Sequence, residues 1–246
     1  MTINVAQISD SHLKRDAGSG DASPDEMLRR AVALVADANP DVLLLTGDIA
    51  DDGSTAAYQR VAAAVSVLGV PVLATSGNHD APANVAATFG DVDEISISGW
   101  RIFLVDTTIP VTEWGRIDVP ALLRRLGPAD GPPTVLALHH PPITTSTHPW
   151  MRLEGASDLV AALTARTDVR VVLSGHLHEA FNVVLGGVSY IGCSSSFYSI
   201  KHRNEEFILD QGHVGALVLS LESDGSFSWR RLPDPYATST VLGPIE

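Results

Sequence analysis

A single cysteine, Cys193, is all that this 246-residue chain contains. No internal disulfide can form, and a thiolate-rich metal site is excluded. A reducing, cytoplasmic setting is the expectation. Long apolar runs are missing as well; none reaches the roughly 18 residues that would mark a transmembrane helix. Near Met1 there is no basic stretch, long apolar core or cleavage site, so the chain reads as not exported. Basic residues are few: 16 Lys and Arg stand against 29 Asp and Glu, for a formal net charge of −13. Such a surface repels nucleic-acid backbones and anionic membranes. Lys14-Arg15, Arg29-Arg30, Arg124-Arg125 and Arg230-Arg231 are isolated pairs, not a patch. Neither a nucleic-acid polymer nor a membrane is therefore expected as a partner. Aromatic residues are scarce too, at 6%, which argues against a dedicated nucleobase cradle. Repeats, low-complexity tracts and linkers are absent.

What is present is ample core material, 45% of residues being hydrophobic. That suits one domain over 1–246, with about 237–246 as a tail. The first half alternates strand and helix. Residues 3–9 read as a strand. Ser23-Pro24-Asp25-Glu26 is a helix start, with Ser as cap, Pro in first place and Glu three after the cap. Helical spacing then runs to about Ala38 and stops at Pro40. Residues 41–46 form an apolar strand of the kind buried on both faces. A helix over 55–68 and a strand over 70–75 follow. This β-α-β-α-β order points to a layered α/β fold. Further on, 82–89, 120–126 and 157–165 read as helices. Residues 95–98 and 101–106 read as a hairpin, and 134–138 and 169–174 as strands. The end changes character, with strands at 181–185, 188–192, 214–222 and 226–232. Gly186-Gly187 and Asp224-Gly225 mark tight turns. The last hairpin could complete a second sheet or pair between subunits, which leaves a homodimer open.

The chemistry lies where strands end. Apolar runs lead into Asp10-Ser11-His12, Gly47-Asp48, Gly77-Asn78-His79-Asp80, His139-His140 and Gly175-His176-Leu177-His178. Each block alone has an ordinary explanation as a turn, a cap or a satisfied pair. In an α/β sheet, however, carboxyl ends of strands share one edge, where ligands bind. Six of the nine histidines fall in these blocks. The donors are carboxylate, imidazole and one amide, without sulfur. They suit Mn or Fe, with Zn or Co as alternatives. Seven donors exceed what one such ion needs, whereas two ions sharing a bridging carboxylate would use them all. Such a pair is suited to phosphoester cleavage.

Taken in order, Asp10-x-His12, Gly47-Asp48, Gly77-Asn78-His79-Asp80, His139 and Gly175-His176-x-His178 resemble the complete signature of the calcineurin-like metallophosphoesterases. The compact length, His-His-Pro-Pro and Gly-His-Leu-His are most similar to bacterial class III cyclic-nucleotide phosphodiesterases. The resemblance implies a four-layer α-β-β-α sandwich of two mixed β-sheets. It implies one metal on Asp10, His12 and His178, and a second on Asn78, His139 and His176, with Asp48 bridging. His140 is the runner-up to His139. His79 would face the substrate and assist the leaving oxygen, and Asp80 would orient the His79 ring. Attack by a metal-bridging hydroxide on a small phosphodiester, with 3′,5′-cyclic nucleotides such as cAMP as the expected substrates, is the implied reaction. A glycerophosphodiesterase or broad phosphatase is the alternative enzyme, and a non-catalytic metal-binding scaffold the alternative from another class. Specificity is expected from loops 13–23, 107–119, 141–155 and 193–211. His79, Asn78 and His148 are the candidate substrate contacts, and Trp114, Arg116, Trp150, Tyr198 and His202 lie in the same loops.

Overall fold

The structure is a computed structural model that describes residues 1–144, 146–203, 206–236 and 241–244. Its strands are β1 (Thr2–Ile8), β2 (Val42–Thr46), β3 (Val72–Thr75), β4 (Glu94–Ile97), β5 (Trp100–Val105), β6 (Gly115–Arg116), β7 (Thr134–Leu138) and β8 (Leu153–Glu154). They continue with β9 (Val169–Ser174), β10 (Phe181–Leu185), β11 (Val188–Gly192), β12 (Ser199–Arg203), β13 (Glu206–Asp210), β14 (Gly215–Glu222), β15 (Phe227–Pro233) and β16 (Val241–Pro244). The helices are α1 (Pro24–Asp37), α2 (Thr55–Val65), α3 (Pro82–Phe89), α4 (Val119–Leu126) and α5 (Ala156–Thr164).

Two mixed sheets carry the fold. One has the order β15-β14-β1-β2-β3 and the other β10-β11-β9-β7-β5-β4. In the first, β1, β2 and β3 run parallel, and β14 and β15 are antiparallel additions. In the second, β5, β7, β9 and β11 run parallel, and antiparallel β4 and β10 close the edges. Parallel strands covered on both faces must be apolar on both, and β2 and β7 are buried at every position.

The faces divide the side chains cleanly. Val5, Val42, Leu44 and Leu73 of the first sheet meet Ile102, Leu104, Val135, Val171 and Leu173 of the second. From the other face of the first sheet, Ala6, Ile8, Leu43 and Leu45 pack on α1 and α2. Phe103, Leu136, Leu138 and Val172 pack outward against α4 and α5. These contacts give the layer order helices, sheet, sheet, helices. Period two in the strands is what sends neighbouring residues to different layers. The α1 start is the one read from sequence, with Pro24 in the first turn and the Glu26 amide donating to Ser23 Oγ at 3.3 Å.

Polar ties cross the sheets near the strand ends. Gln7 is fully buried, and its amide donates to Thr46 Oγ1 at 2.8 Å and to the Ser174 carbonyl at 3.1 Å. It thereby fixes the ends of β1, β2 and β9 relative to one another. At the opposite end Trp100 Nε1 donates to the Glu222 carbonyl at 2.7 Å.

Three expectations change. The 193–211 stretch is not a plain loop: it holds the β12–β13 hairpin. Val241–Pro244, expected in a tail, pairs with β13 as an edge strand, while 237–240 and 245–246 lie outside the described residues. The 107–119 and 141–155 loops are joined by the short parallel pair β6–β8. The β14–β15 hairpin settles beside β1 in the first sheet. No helix among the described residues is long and apolar enough to cross a membrane.

Candidate metal centre

All five blocks follow the carboxyl ends of parallel strands: β1, β2 and β3 from one sheet, β7 and β9 from the other. The two sheets are stacked with these ends on one side, so segments far apart in sequence meet. The turns that follow the strands are strained. Asp10, His12, Asp48, His176 and His178 all have left-handed backbones, with φ between 47° and 67°. Each costs about 1–2 kcal/mol for an L-residue. Concentrated strain of this kind is maintained where it aims a side chain.

Two buried groups of donors result, with a third, less buried one of His12, Asp51 and His79 adjoining them. Asp10, His12, Asp48 and His178 present ligand atoms within 4.8 Å of one another, as do His139, His140 and His176. Asp48 stands between them, because its Oδ2 lies 3.6 Å from His12 Nε2 and 3.5 Å from His139 Nε2. Its Oδ1 accepts from the His79 amide at 2.9 Å. Asp10 Oδ1 is 3.4 Å from His178 Nε2. His12 Nε2 and His178 Nε2 are 3.1 Å apart. Asn78 Oδ1 lies 3.1 Å from His139 Nε2.

The outer ring nitrogens explain why the inner ones converge. His139 Nδ1 donates to the Thr46 carbonyl at 2.8 Å, and His178 Nδ1 to the Tyr198 carbonyl at 2.8 Å. His12 Nδ1 donates to Asp51 Oδ1 at 3.1 Å. Each of these leaves Nε2 with its lone pair turned inward. His176 is reversed: Nε2 donates to the Trp150 carbonyl at 3.0 Å, which leaves Nδ1 as the acceptor. Metal-ligating histidines are oriented by such outer bonds. With two carboxylates, an amide oxygen and four imidazole lone pairs converging in a buried space, the residues fit a pair of divalent or trivalent cations.

Charge gives the same account. Burial raises Asp10 to about 6, with Asp48 adding to the shift and His139 and His12 opposing it. Burial also works against ionised Asp48, yet His139 and His12 hold it well below the usual carboxylate range. His139 reaches about 9: burial opposes its charge, but Asp48 prevails. Burial, reinforced by His139, pushes His176 down to about 3. Burial and His12 push His178 well below the ordinary imidazole value. In the metal-free site Asp48 thus draws a proton onto His139, and Asp51 and Asp48 draw one onto His12 against the effect of burial, protons that bound cations would displace, while His176 and His178 are already neutral.

Other candidate residues fall into place around these groups. His140 is spoken for at both nitrogens, by Thr107 Oγ1 at 2.8 Å and the Glu113 carbonyl at 3.2 Å. His139 Nε2, by contrast, faces Asp48 Oδ2 and Asn78 Oδ1, themselves candidate ligands. His79 lines a cavity of about 200 Å³ above the donors. Its Nδ1 is held by the Asp51 carbonyl at 3.1 Å, leaving Nε2 for whatever enters. Asp80 does not orient the His79 ring. Its carboxylate instead accepts from the amides of Ile49, Ala50 and Gly77 and from Tyr58 Oη. It pins the loop after β2 to the loop after β3. His148 is not among the residues that line the cavity. Its ring packs on Trp150 and Phe207, and its Nδ1 accepts from the Trp150 amide at 3.3 Å. Arg116 pairs with Glu154 outside the cavity, and Trp114 lies under Arg152.

Two residues are additions to the sequence reading. Asp51 joins His12 to His79, with Oδ1 at 3.1 Å and 3.7 Å from their Nδ1 atoms. Its place three residues after Asp48 was the available signal. Glu113 Oε2 accepts from Asn78 Nδ2 at 2.8 Å, which turns the amide oxygen toward His139. Nothing in the sequence distinguished Glu113 from other loop acids.

Comparisons with known proteins give the family and the fold. Residues 3–180 match the family described as Calcineurin-like phosphoesterase. A probable cyclic nucleotide phosphodiesterase of Synechococcus is 34% identical, over 94% of this chain and 91% of its own. The 3′,5′-cyclic adenosine monophosphate phosphodiesterase of Pseudomonas aeruginosa is 30% identical, over 91% of this chain and 87% of its own. Among solved structures, a dimetal phosphatase from Danio rerio shares the fold with a TM-score of 0.61. It is 13% identical, and 98% of each chain is covered.

Proposed function

This chain belongs to the calcineurin-like phosphoesterase family, and from that premise we propose that it is a dinuclear-metal phosphodiesterase acting on 3′,5′-cyclic nucleotides, cAMP foremost. The observation that carries the reading is the position of Asp48 Oδ2, about equally far from His12 and His139 and so between two donor groups. Relatives named as cyclic nucleotide phosphodiesterases cover nearly the whole chain, which supports the substrate class. Asp10, His12 and His178 would hold one ion, Asn78, His139 and His176 the other, and Asp48 both. Mn and Fe are the proposed metals, given oxygen and nitrogen donors without sulfur. Bound there, the ions would acidify a water and neutralise phosphate oxygens.

The chain's own residues supply the rest. Glu113 fixes the Asn78 amide, and Asp51 fixes the rings of His12 and His79. His79, held at Nδ1, presents Nε2 to the cavity; as the imidazolium, with a proton on each nitrogen, it would give the Nε2 proton to the oxygen that leaves phosphorus and be left as the neutral ring with its Nδ1–H still on the Asp51 carbonyl. A cytoplasmic location accords with a substrate of this class and with one buried cysteine.

The test is a substrate panel on Mn- and Fe-reconstituted protein: cAMP, cGMP, a glycerophosphodiester and a phosphomonoester. Preferential turnover of the cyclic nucleotides supports the proposal. Preference for the glycerophosphodiester or monoester would replace it with the alternative enzyme reading. Two bound ions with no hydrolysis of any ester would favour the scaffold.

A further inference from the structure

Aromatic side chains are scarce in this chain, but several of them gather on one wall of the cavity. Trp150, Tyr198 and Phe207 line it with Met151 and Ile200. They arrive from separate segments: Trp150 and Met151 from the short helical turn Pro149–Met151, Tyr198 from the stretch before β12, and Ile200 and Phe207 from the β12–β13 hairpin. The rest of the lining is His12, Asp48, Asn78, His79, His176 and His178, with Glu113 beside them. The cavity therefore has a donor part and an apolar part, joined by Tyr198, whose ring packs on those of His12 and His178. A phosphate belongs against the donors, and whatever projects from it meets rings and alkyl groups.

Trp150 is the unusual member. Trp150 lines the cavity yet is 41% exposed as a residue, while Met151 beside it is buried. His148 braces it from behind, its ring centroid 4.9 Å from Trp150 and 4.5 Å from Phe207. Trp150 and Phe207 lie 6.3 Å apart with planes tilted by 41°. A braced but open aromatic face suits a flat heterocycle. Glycerol would leave it wet. The side chains of this wall bring no carboxylate or amide with which to read a base edge; Tyr198 offers only a hydroxyl and Trp150 an indole N–H.

We propose that this wall is a nucleobase subsite, with Trp150 as its stacking residue. It grips the base by its face and so accepts adenine and guanine alike. The proposal rests on the phosphodiesterase reading above and deepens it.

The experiment measures inhibition of bis(p-nitrophenyl) phosphate hydrolysis by AMP, GMP and inorganic phosphate on the Mn-loaded protein. The inhibitors share the phosphate and differ in the base. Wild type is expected to bind AMP on the order of tenfold more tightly than phosphate, the size of one stacking contact. GMP should fall within about threefold of AMP, since stacking tolerates either purine. Trp150→Ala should bring AMP down to the level of phosphate while the phosphate constant holds, because His176 is bonded to the backbone carbonyl of Trp150 and not to its ring. Trp150→Phe should restore most of the gap. Phe207→Leu, which keeps the bulk of a buried residue, should narrow the gap and serves as the second probe. A wild-type enzyme that binds AMP no better than phosphate would overturn the subsite. So would a gap that survives in Trp150→Ala. Hydrolysis of cAMP is assayed separately on the same preparation. Loss of the cyclic-nucleotide reading with the AMP gap intact would leave a mononucleotide subsite standing, so the two failures are distinguishable.

Discussion

At the scale of single residues, the site separates groups that would touch the ions from groups that aim them. His79 belongs to neither class: it lines the cavity, and its Nδ1 is held by the Asp51 carbonyl. His79→Ala should therefore leave the metal content unchanged and lower kcat by about 10²–10⁴-fold, the usual range for a general acid. Elemental analysis with steady-state kinetics checks both halves. Glu113 is an aiming residue, because it accepts the Asn78 amide hydrogen. Glu113→Ala should weaken the ion on the Asn78 side by about 10–100-fold. Glu113→Gln, whose amide oxygen can still accept, should recover most of that loss. Calorimetric metal titration of the substrate-free protein reads the difference. Glu113 was not legible in the sequence, and Asp51 was signalled only by its place three residues after Asp48. Asp10, His12, Asp48, Asn78, His139, His176 and His178 were legible, because each follows an apolar strand where side chains are forced to one edge. A carboxylate in an irregular loop carries no such period. Asp80 shows the converse error: its neighbour in sequence is His79, but the turn sends its carboxylate back to the amides of Ile49, Ala50 and Gly77.

At the scale of elements, strand ends and the turns behind them do the positioning. After β9 the chain must pass so close to β1 that Gly175 has no room for a side chain. A Cβ there would overlap Ser9 Oγ and lie 2.7 Å from Asp10 Oδ2 and 3.0 Å from the Thr46 carbonyl. Gly175→Ala should destabilise the fold by about 1–3 kcal/mol through overpacking and displace a candidate ligand at the same time. Denaturant unfolding of the metal-free protein reads the first effect, and metal titration the second. The strands of both sheets were legible from continuous apolar runs and tight-turn signals. The β12–β13 hairpin was not. Its sequence mixes charged residues with four apolar ones, of which Ile200, Phe207 and Leu209 pack with Met151 and Leu177 near the site and not in the main core. A hairpin that packs on a cavity lacks the regular alternation of one that packs on a core. That hidden element is also what gathers the aromatic wall, which the low overall aromatic content argued against.

At the scale of the whole molecule, the stacked sheets bring five strand ends to one place, and the core between the sheets holds them there. Leu44 is fully buried in that core. Leu44→Ala should cost about 2–5 kcal/mol of stability while the metal-loaded protein, at temperatures where it remains folded, keeps its activity. Urea unfolding and a diester assay on the same sample test that separation of scaffold from site. The central claim is that one carboxylate, Asp48, is shared by two metal ions. It is tested most directly by counting metal in reconstituted wild type and Asp48→Ala by elemental analysis, with phosphodiester hydrolysis measured on both. The account predicts two ions per chain and hydrolysis in wild type, and loss of bound metal and activity together in Asp48→Ala. An Asp48→Ala protein that retained both ions and full turnover would contradict it.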